Sequence, residues 1–273
     1  MKIINLRRSF TRGYDACFEL IYPRLQICGL CGSYILPKDA GAYGVCRECY
    51  QNWIFQRERG RPCPRCGFFR HEGPCRGPCQ VEMFNLSGII AAAPHIGVYR
   101  QAVQALKYDG CSNLAEPLGF LMGEALIASR GLFPSCICSP SGGLPWLVPI
   151  PMHRDKELQR GYNQSRLLAD RLGHSLRLKV KELLYRDKPG LTQAGLNKHQ
   201  RLAALSEVFS CRTNAKPNNN CRKPLIILVD DVVTTGATLA CCAGILRRVG
   251  YQQVIGLTFT AGSNQVIGQS KKM

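Results

Sequence analysis

Between Leu225 and Val229 five aliphatic residues run without a polar interruption, and two acids, Asp230 and Asp231, follow at once. An unbroken apolar run of this kind predicts a strand covered on both faces, as in a parallel sheet. A helical rhythm comes next. Leu239, Ala243, Leu246 and Val249 share one side over residues 237–249, and Gly250 is a natural stop. Residues 254–260 then read as a last strand. The same alternation runs upstream, with a strand at 87–94 and a short helix at 99–107 that turns Val103 and Leu106 inward. A helix at 114–130 follows, then a short strand through Leu147 to Ile150, then a helix carrying Leu167, Leu168 and Leu172. Strands alternating with amphipathic helices predict an α/β domain, a parallel sheet flanked by helices, over residues 81–261.

The rest of the chain breaks this rhythm. Phe10, Tyr14, Cys17, Phe18, Ile21 and Tyr22 fall at helical spacing, so residues 1–26 predict a short helix ended near Pro23. Residues 27–80 are rich in cysteine and arginine and poor in apolar period. Residues 131–143 form a loop of Gly, Ser, Pro and Cys in which Cys136 and Cys138 are weak metal candidates. Residues 212–224 form another loop, through Pro217-Asn218-Asn219-Asn220, and the tail 262–273 is expected to be disordered.

Cysteine spacing gives the module at 27–80 its chemistry. Cys28 and Cys31 are two residues apart, as are Cys46 and Cys49, and that knuckle spacing wraps two thiolates around one ion. Gly32 suits the tight turn of the first pair. Cys63, Cys66, Cys75 and Cys79 form a second, less regular set, in which His71 could replace a thiolate. Two closed, structural Zn²⁺ sites are the expectation. Sixteen cysteines also admit iron–sulfur chemistry, but paired knuckles in a basic module favour zinc. A module this small needs metal to fold.

The chain has 36 Lys and Arg against 18 Asp and Glu, a net charge of +18. Eight zinc-bound thiolates would leave roughly +14. A basic balance suits an anionic partner or plain solubility. In the module, Arg47, Arg57, Arg59, Arg61, Arg65, Arg70 and Arg76 interleave with Trp53, Phe55, Phe68 and Phe69. Either this is a surface for single-stranded nucleic acid, or the aromatics form a small core with solvated arginines around it. No apolar run is long enough to predict a membrane span, and the start of the chain lacks the pattern of a secretion signal, so a cytoplasmic place is expected.

The acids at the end of the central strand lead into Thr234-Thr235-Gly236-Ala237-Thr238. Free N–H groups at a helix start attract an anion, hydroxyls add donors, and Gly236 lets the main chain come close. Paired carboxylates accept hydrogen bonds from a vicinal diol such as ribose. The turn lacks the lysine and the spacing of a nucleoside-triphosphate loop. A plain helix cap by Asp230 would need neither a second acid nor three threonines. A second basic loop follows the strand at 147–150, with Pro151, His153, Arg154, Lys156 and Arg160. Its place is the carboxyl edge of the sheet, where open α/β folds bind ligands, and its cations could clamp a pyrophosphate. Lys107, beside Tyr108 at a helix end, either reaches the same anion or is an ordinary surface lysine. Arg186, Lys188, Gln193, Lys198 and Arg201 are candidates for a mobile cover.

Residues 225–238 resemble the phosphoribosyl pyrophosphate (PRPP) signature of the type I phosphoribosyltransferases. The chain over residues 15–261 resembles the ComF family of competence proteins. The likeness rests on the cysteine module and on Ala105-Leu106-Lys107-Tyr108. It rests also on Val148 to His153, on Arg160-Gly161-Tyr162-Asn163-Gln164, on Gln193, Leu196 and Arg201, and on the PRPP stretch. The resemblance implies a type I phosphoribosyltransferase-like domain behind a double zinc module. It implies a role in passing incoming single-stranded DNA onward in the cytoplasm, beside a competence helicase. It further implies that Asp230 and Asp231 meet the ribose hydroxyls or hold Mg²⁺ through water, and that residues 234–238 cradle the 5-phosphate. The turn from Ile150 to His153 would meet the pyrophosphate, and residues near 186–201 would form the cover. One departure stands out: Ala204 replaces an asparagine usual in the family, which touches the polar contacts of the cover. Two functions stay open here. One is a phosphoribosyltransferase acting on an unknown acceptor. The other is a nucleic-acid-binding adaptor that uses the same fold to hold PRPP or a related ligand.

Overall fold

The structure is a computed structural model and describes residues 26–35, 42–70, 75, 86–129, 131, 143–186, 208–212 and 223–263. In chain order, strands β1 (Gln26–Ile27) and β2 (Tyr34–Ile35) precede helix α1 (Arg47–Gly60). Strand β3 (Ile89–Pro94), helix α2 (Gly97–Tyr108), helix α3 (Ala115–Ala128) and strand β4 (Trp146–Pro149) follow. Then come α4 (Arg154–Arg160), α5 (Gln164–Leu176), β5 (Lys179–Val180), β6 (Leu184–Arg186) and β7 (Phe209–Cys211). Strand β8 (Ile226–Val233), helix α6 (Ala237–Arg248) and strand β9 (Val254–Ala261) complete the order.

Five strands make one parallel sheet in the order β3-β9-β8-β4-β5. The α/β expectation holds. The central strand β8 is apolar on both faces because helices cover both. Ile227 and Val229 face a core built with α2, α3 and α5, through Leu106, Leu118, Met122, Leu168 and Leu172. Ile226 and Leu228 face the opposite core, with Leu239, Cys242, Ala243 and Leu246 of α6. Each fully buried aliphatic side chain contributes about 1.5–3 kcal/mol relative to exposure.

Chain order fixes where a ligand can sit. From β4 the chain moves through α5 to β5 on one side, and from β8 it moves through α6 to β9 on the other. Strands β4 and β8 are neighbours, so the direction of winding reverses between them. The crevice outside their carboxyl ends is the place where such sheets bind ligands.

The cysteine module is built into this domain. Cys28, Leu30, Val45, Cys46 and Trp53 belong to the same core as Ile90, Tyr99, Leu118 and Leu121. The Trp53 Nε1–H donates to the Ala92 carbonyl at 2.9 Å, and Arg57 donates to the carbonyls of Ala91 (2.6 Å) and Ala92 (3.0 Å). Helix α1 thereby covers the outer edge of β3. The Cys63–Gly67 turn lies on the same strand, with the Ile89 amide donating to the Pro64 carbonyl at 3.3 Å. At Gly67 (φ 72°) a Cβ would stand 3.1 Å from Ala91 and Ile89, so only glycine serves there.

Two local expectations need correction. The strand carrying the acids does not stop before them: β8 continues to Val233, because Val232 and Val233 pair with Thr260 and Ala261 of β9. Residues 154–160, expected as a loop, form α4, capped by His153 and ended by Gly161 at φ 87°. None of its residues is buried, so no apolar period marks it. The helix expected within 1–25, His71, Cys79, Arg76, Cys136, Cys138, Lys188, Gln193, Lys198, Arg201, Ala204, the loop 213–222 and the tail from 264 lie outside the described residues.

Candidate functional site

The first cysteine set converges. The Sγ atoms of Cys28, Cys31, Cys46 and Cys49 all lie within 4.8 Å of one another, and those of Cys31 and Cys46 are 3.9 Å apart. A tetrahedron of thiolates around zinc has edges of about 3.8 Å. Backbone amides point at the sulfurs: Cys46 N to Cys28 Sγ and Cys49 N to Cys46 Sγ, each 3.4 Å. Burial, together with the neighbouring sulfurs, pushes the Cys46 and Cys49 thiols up. Four thiolates this close need a cation to hold them ionised. Cys63, Cys66 and Cys75 likewise lie within 4.8 Å of one another, with Cys66 and Cys75 sulfurs 3.6 Å apart. Both clusters can hold a metal ion.

The aromatic–arginine surface divides in two. Trp53 and Phe69 are core residues, and burial pulls the Arg57 guanidinium down to about 10. Phe55 stays exposed on the outer face of α1 with Arg59 over its ring at 5.2 Å.

At the winding reversal the acids are anchored. Asp230 Oδ1 accepts the Ser165 hydroxyl at 2.9 Å and the Asp231 amide at 2.9 Å. Ser165 is placed by Asn163, whose Oδ1 caps α5 by accepting the Ser165 and Arg166 amides. The Asn163 amide also donates to the Ile150 carbonyl at 3.0 Å, tying the β4 turn to the same helix. Burial, then the charge of Asp231, pushes the Asp230 carboxyl up to about 7. Asp231 is buried, and the Lys107 ammonium reaches its Oδ2 at 2.7 Å, an ion pair without hydrogen-bond alignment. Lys107 therefore spans from the end of α2 to the acid pair and is no ordinary surface lysine. Thr234 and Thr235 are exposed in the turn after β8. Gly236 (φ 74°) opens α6, and the Ala237 amide donates to Thr235 Oγ1 at 3.4 Å, with Thr238 in the first turn of the helix.

The second basic loop is only partly brought in. Pro151 and His153 follow β4 beside this crevice, and His153 Nδ1 accepts the Asp155 amide at 3.3 Å. Arg160 donates to Gln164 at 2.5 Å and lies over the Tyr108 ring at 5.5 Å. Tyr162 donates to the Leu106 carbonyl at 2.7 Å, so Arg160 to Gln164 clasp the end of α2. Arg154 is exposed on α4. Arg186, expected in a mobile cover, sits in the ordered β6–β7 ribbon with its guanidinium 5.4 Å from the Phe209 ring.

Sequence reasoning missed three residues here. Ser165 and Asn163 lie within or beside the quoted Arg160–Gln164 motif but were not assigned. His95 directly follows β3 at the carboxyl edge. Its Nδ1 lies 2.9 Å from Thr260 Oγ1. Burial, with Arg100 and Lys107 nearby, lowers its pKa. A histidine immediately after an all-apolar strand was the available signal.

No protein-family model matches the chain. It is similar to the DNA utilization protein YhgH of Salmonella typhi, 29% identical over 233 residues, which cover 83% of this chain and 94% of that protein. It is similar to Competence protein F of Haemophilus influenzae, 33% identical over 109 residues, 40% of this chain and 46% of that one. Competence protein ComFC of Bacillus subtilis is 39% identical over 108 residues, 38% of this chain and 39% of its own. Taken with the cysteine module and the parallel sheet, these relatives support the chain's membership of the ComF family.

Proposed function

We propose that this chain is a competence-related, PRPP-binding protein that handles incoming single-stranded DNA in the cytoplasm. The observation that carries the reading is the acid pair at the winding reversal, with Ser165 on Asp230 and Lys107 on Asp231 beside the Thr234–Thr238 turn. The ribose diol would take the acids, and the 5-phosphate would take the backbone amides and hydroxyls of the turn. The pyrophosphate would lie toward Pro151 and His153, within reach of Lys107, Arg154 and Arg160. Mg²⁺, held through water by Asp230 and Asp231, would supply charge neutralisation for the pyrophosphate. The names of the relatives support a role in competence or DNA use.

The cysteine clusters would each take a structural Zn²⁺, with Cys79 completing the second. The exposed Phe55–Arg59 pair on a chain of net charge +18 favours contact with single-stranded DNA by stacking and charge. A helicase-like partner is the natural recipient of that strand. The second reading, turnover of PRPP onto an acceptor, uses the same crevice.

Calorimetric titration with PRPP and Mg²⁺ tests the proposal. The native protein should bind, and the Asp230→Asn, Asp231→Asn double variant should not. Equal affinity in the two would sink the ribose assignment. Binding of single-stranded DNA should weaken steeply with salt and weaken further in Arg59→Ala. A salt-independent signal would remove the DNA arm.

A further inference from the structure

The residues assigned to PRPP occupy one half of the sheet's carboxyl edge. Along that edge the order is β4, β8, β9, β3. The anion loop follows β4, and the acids and the phosphate turn belong to β8. A displacement at the anomeric carbon needs its nucleophile opposite the leaving pyrophosphate. That places an acceptor on the β9–β3 side, which Lys107 of α2 alone among the assigned residues approaches, with its ammonium turned to Asp231.

His95 stands there. Its amide donates to the Ala261 carbonyl at 2.7 Å, which holds it against the end of β9. Its Nδ1 lies 2.9 Å from Thr260 Oγ1. Thr260 is fully buried, lies in register with Val232 of β8, and reaches the Asp231 carbonyl through its hydroxyl at 3.5 Å. A threonine hydroxyl has one proton. Given to the Asp231 carbonyl, it leaves Oγ1 to accept from Nδ1–H, so that Nε2 carries the lone pair. The charged groups acting on the ring are Arg100 and Lys107 of α2 and Asp231 of β8. Burial and the two cations favour the neutral imidazole.

We propose that His95 is the general base for ribosyl transfer at this site, a step that rests on the PRPP reading. The acceptor is a molecule with an N–H or O–H nucleophile, a planar nitrogen heterocycle or water. Its lone pair forms the bond to the anomeric carbon. The bond from that carbon to the pyrophosphate oxygen breaks, and the electron pair leaves with pyrophosphate. The acceptor's proton passes to His95 Nε2, while Nδ1–H stays on Thr260.

The test follows pyrophosphate release from PRPP and Mg²⁺ in the zinc-loaded native protein and in His95→Gln, between about pH 5.5 and 9. Water alone is the first acceptor, and free nucleobases are supplied next. Calorimetry of PRPP binding runs beside it. The variant should bind PRPP unchanged and release pyrophosphate about 10²–10⁴-fold more slowly at pH 8, above the titration of Asp230. Intact binding with unchanged release overturns the proposal. So does a native protein that binds PRPP and releases nothing, a result that leaves PRPP binding standing. Failure of the native protein to bind PRPP removes both. Long-range proton–nitrogen correlation NMR on the native protein provides a check free of turnover. It should find the proton of neutral His95 on Nδ1, and a proton on Nε2 overturns the assignment.

Discussion

Asp230→Asn should make the ligand-free protein more stable while destroying the site. The Asp230 carboxyl is pushed up to about 7 from an ordinary 3.8, by burial first and the charge of Asp231 second. Between those two values the folded chain holds a proton that the unfolded chain has released. Stability attributable to this group therefore falls as pH rises through that window, and the whole cost is present above it. A shift of about three units corresponds to roughly 4 kcal/mol. That is an upper bound, because Asp231 shares the repulsion and Asp230 keeps some contact with water. Asparagine removes the charge and keeps the geometry. Ser165 and the Asp231 amide both donate to Oδ1, which an asparagine also offers. The expected gain is about 1–3 kcal/mol near pH 8, shrinking toward pH 5.5. Urea unfolding of zinc-loaded protein without phosphate, PRPP or Mg²⁺ measures it at both pH values. A variant less stable than the native protein at pH 8 would refute the reasoning, and so would a gain that does not shrink with acid.

Protein purified without chelator should carry about two zinc ions per chain; iron, or a value near zero, would overturn the ligand assignment. Stripping the metal should redden and weaken Trp53 fluorescence, since that side chain is packed between the module and β3. Gly29→Ala would place a Cβ 2.5 Å from Pro117 Cγ, and denaturant unfolding should show a loss of about 1–3 kcal/mol. Arg57→Ala should cost about 2–4 kcal/mol by abandoning buried carbonyls, whereas Arg59→Ala should leave stability nearly unchanged and act on DNA affinity alone. Equal effects of the two arginines on stability would contradict the burial argument.

The central strand, the order of helices and strands, and the paired cysteines were legible because each has a strong one-dimensional mark. The run 225–229 is apolar without a gap, α5 and α6 carry apolar stripes, and Cys28, Cys31, Cys46 and Cys49 have knuckle spacing. The polar helix α4 carried no such mark. The end of β8 was misread because the acids look like a terminus, while its last residues are held by pairing with β9, which is information from another strand. The ion pair from Lys107 to Asp231 joins residues far apart in sequence, so composition left Lys107 undecided. Ser165 and His95 were hidden for the same reason: what matters about each is a partner on a distant strand. The seven arginines of the module looked alike in sequence, and only three-dimensional packing separates Arg57, spent on the sheet edge, from Arg59, turned outward.

That sheet edge has a physiological consequence. Strand β3 is the outermost long strand, six residues all buried, and its outer side is covered by α1 and the Cys63–Gly67 turn rather than by another strand. At the opposite edge β5 is only two residues long. With zinc in the clusters, as proposed above, a cell short of that metal would loosen the cover and bare an apolar strand with unpaired backbone groups, a ready template for joining chain to chain. Metal starvation should therefore appear first as clumping and clearance of this protein, before any change in what it binds.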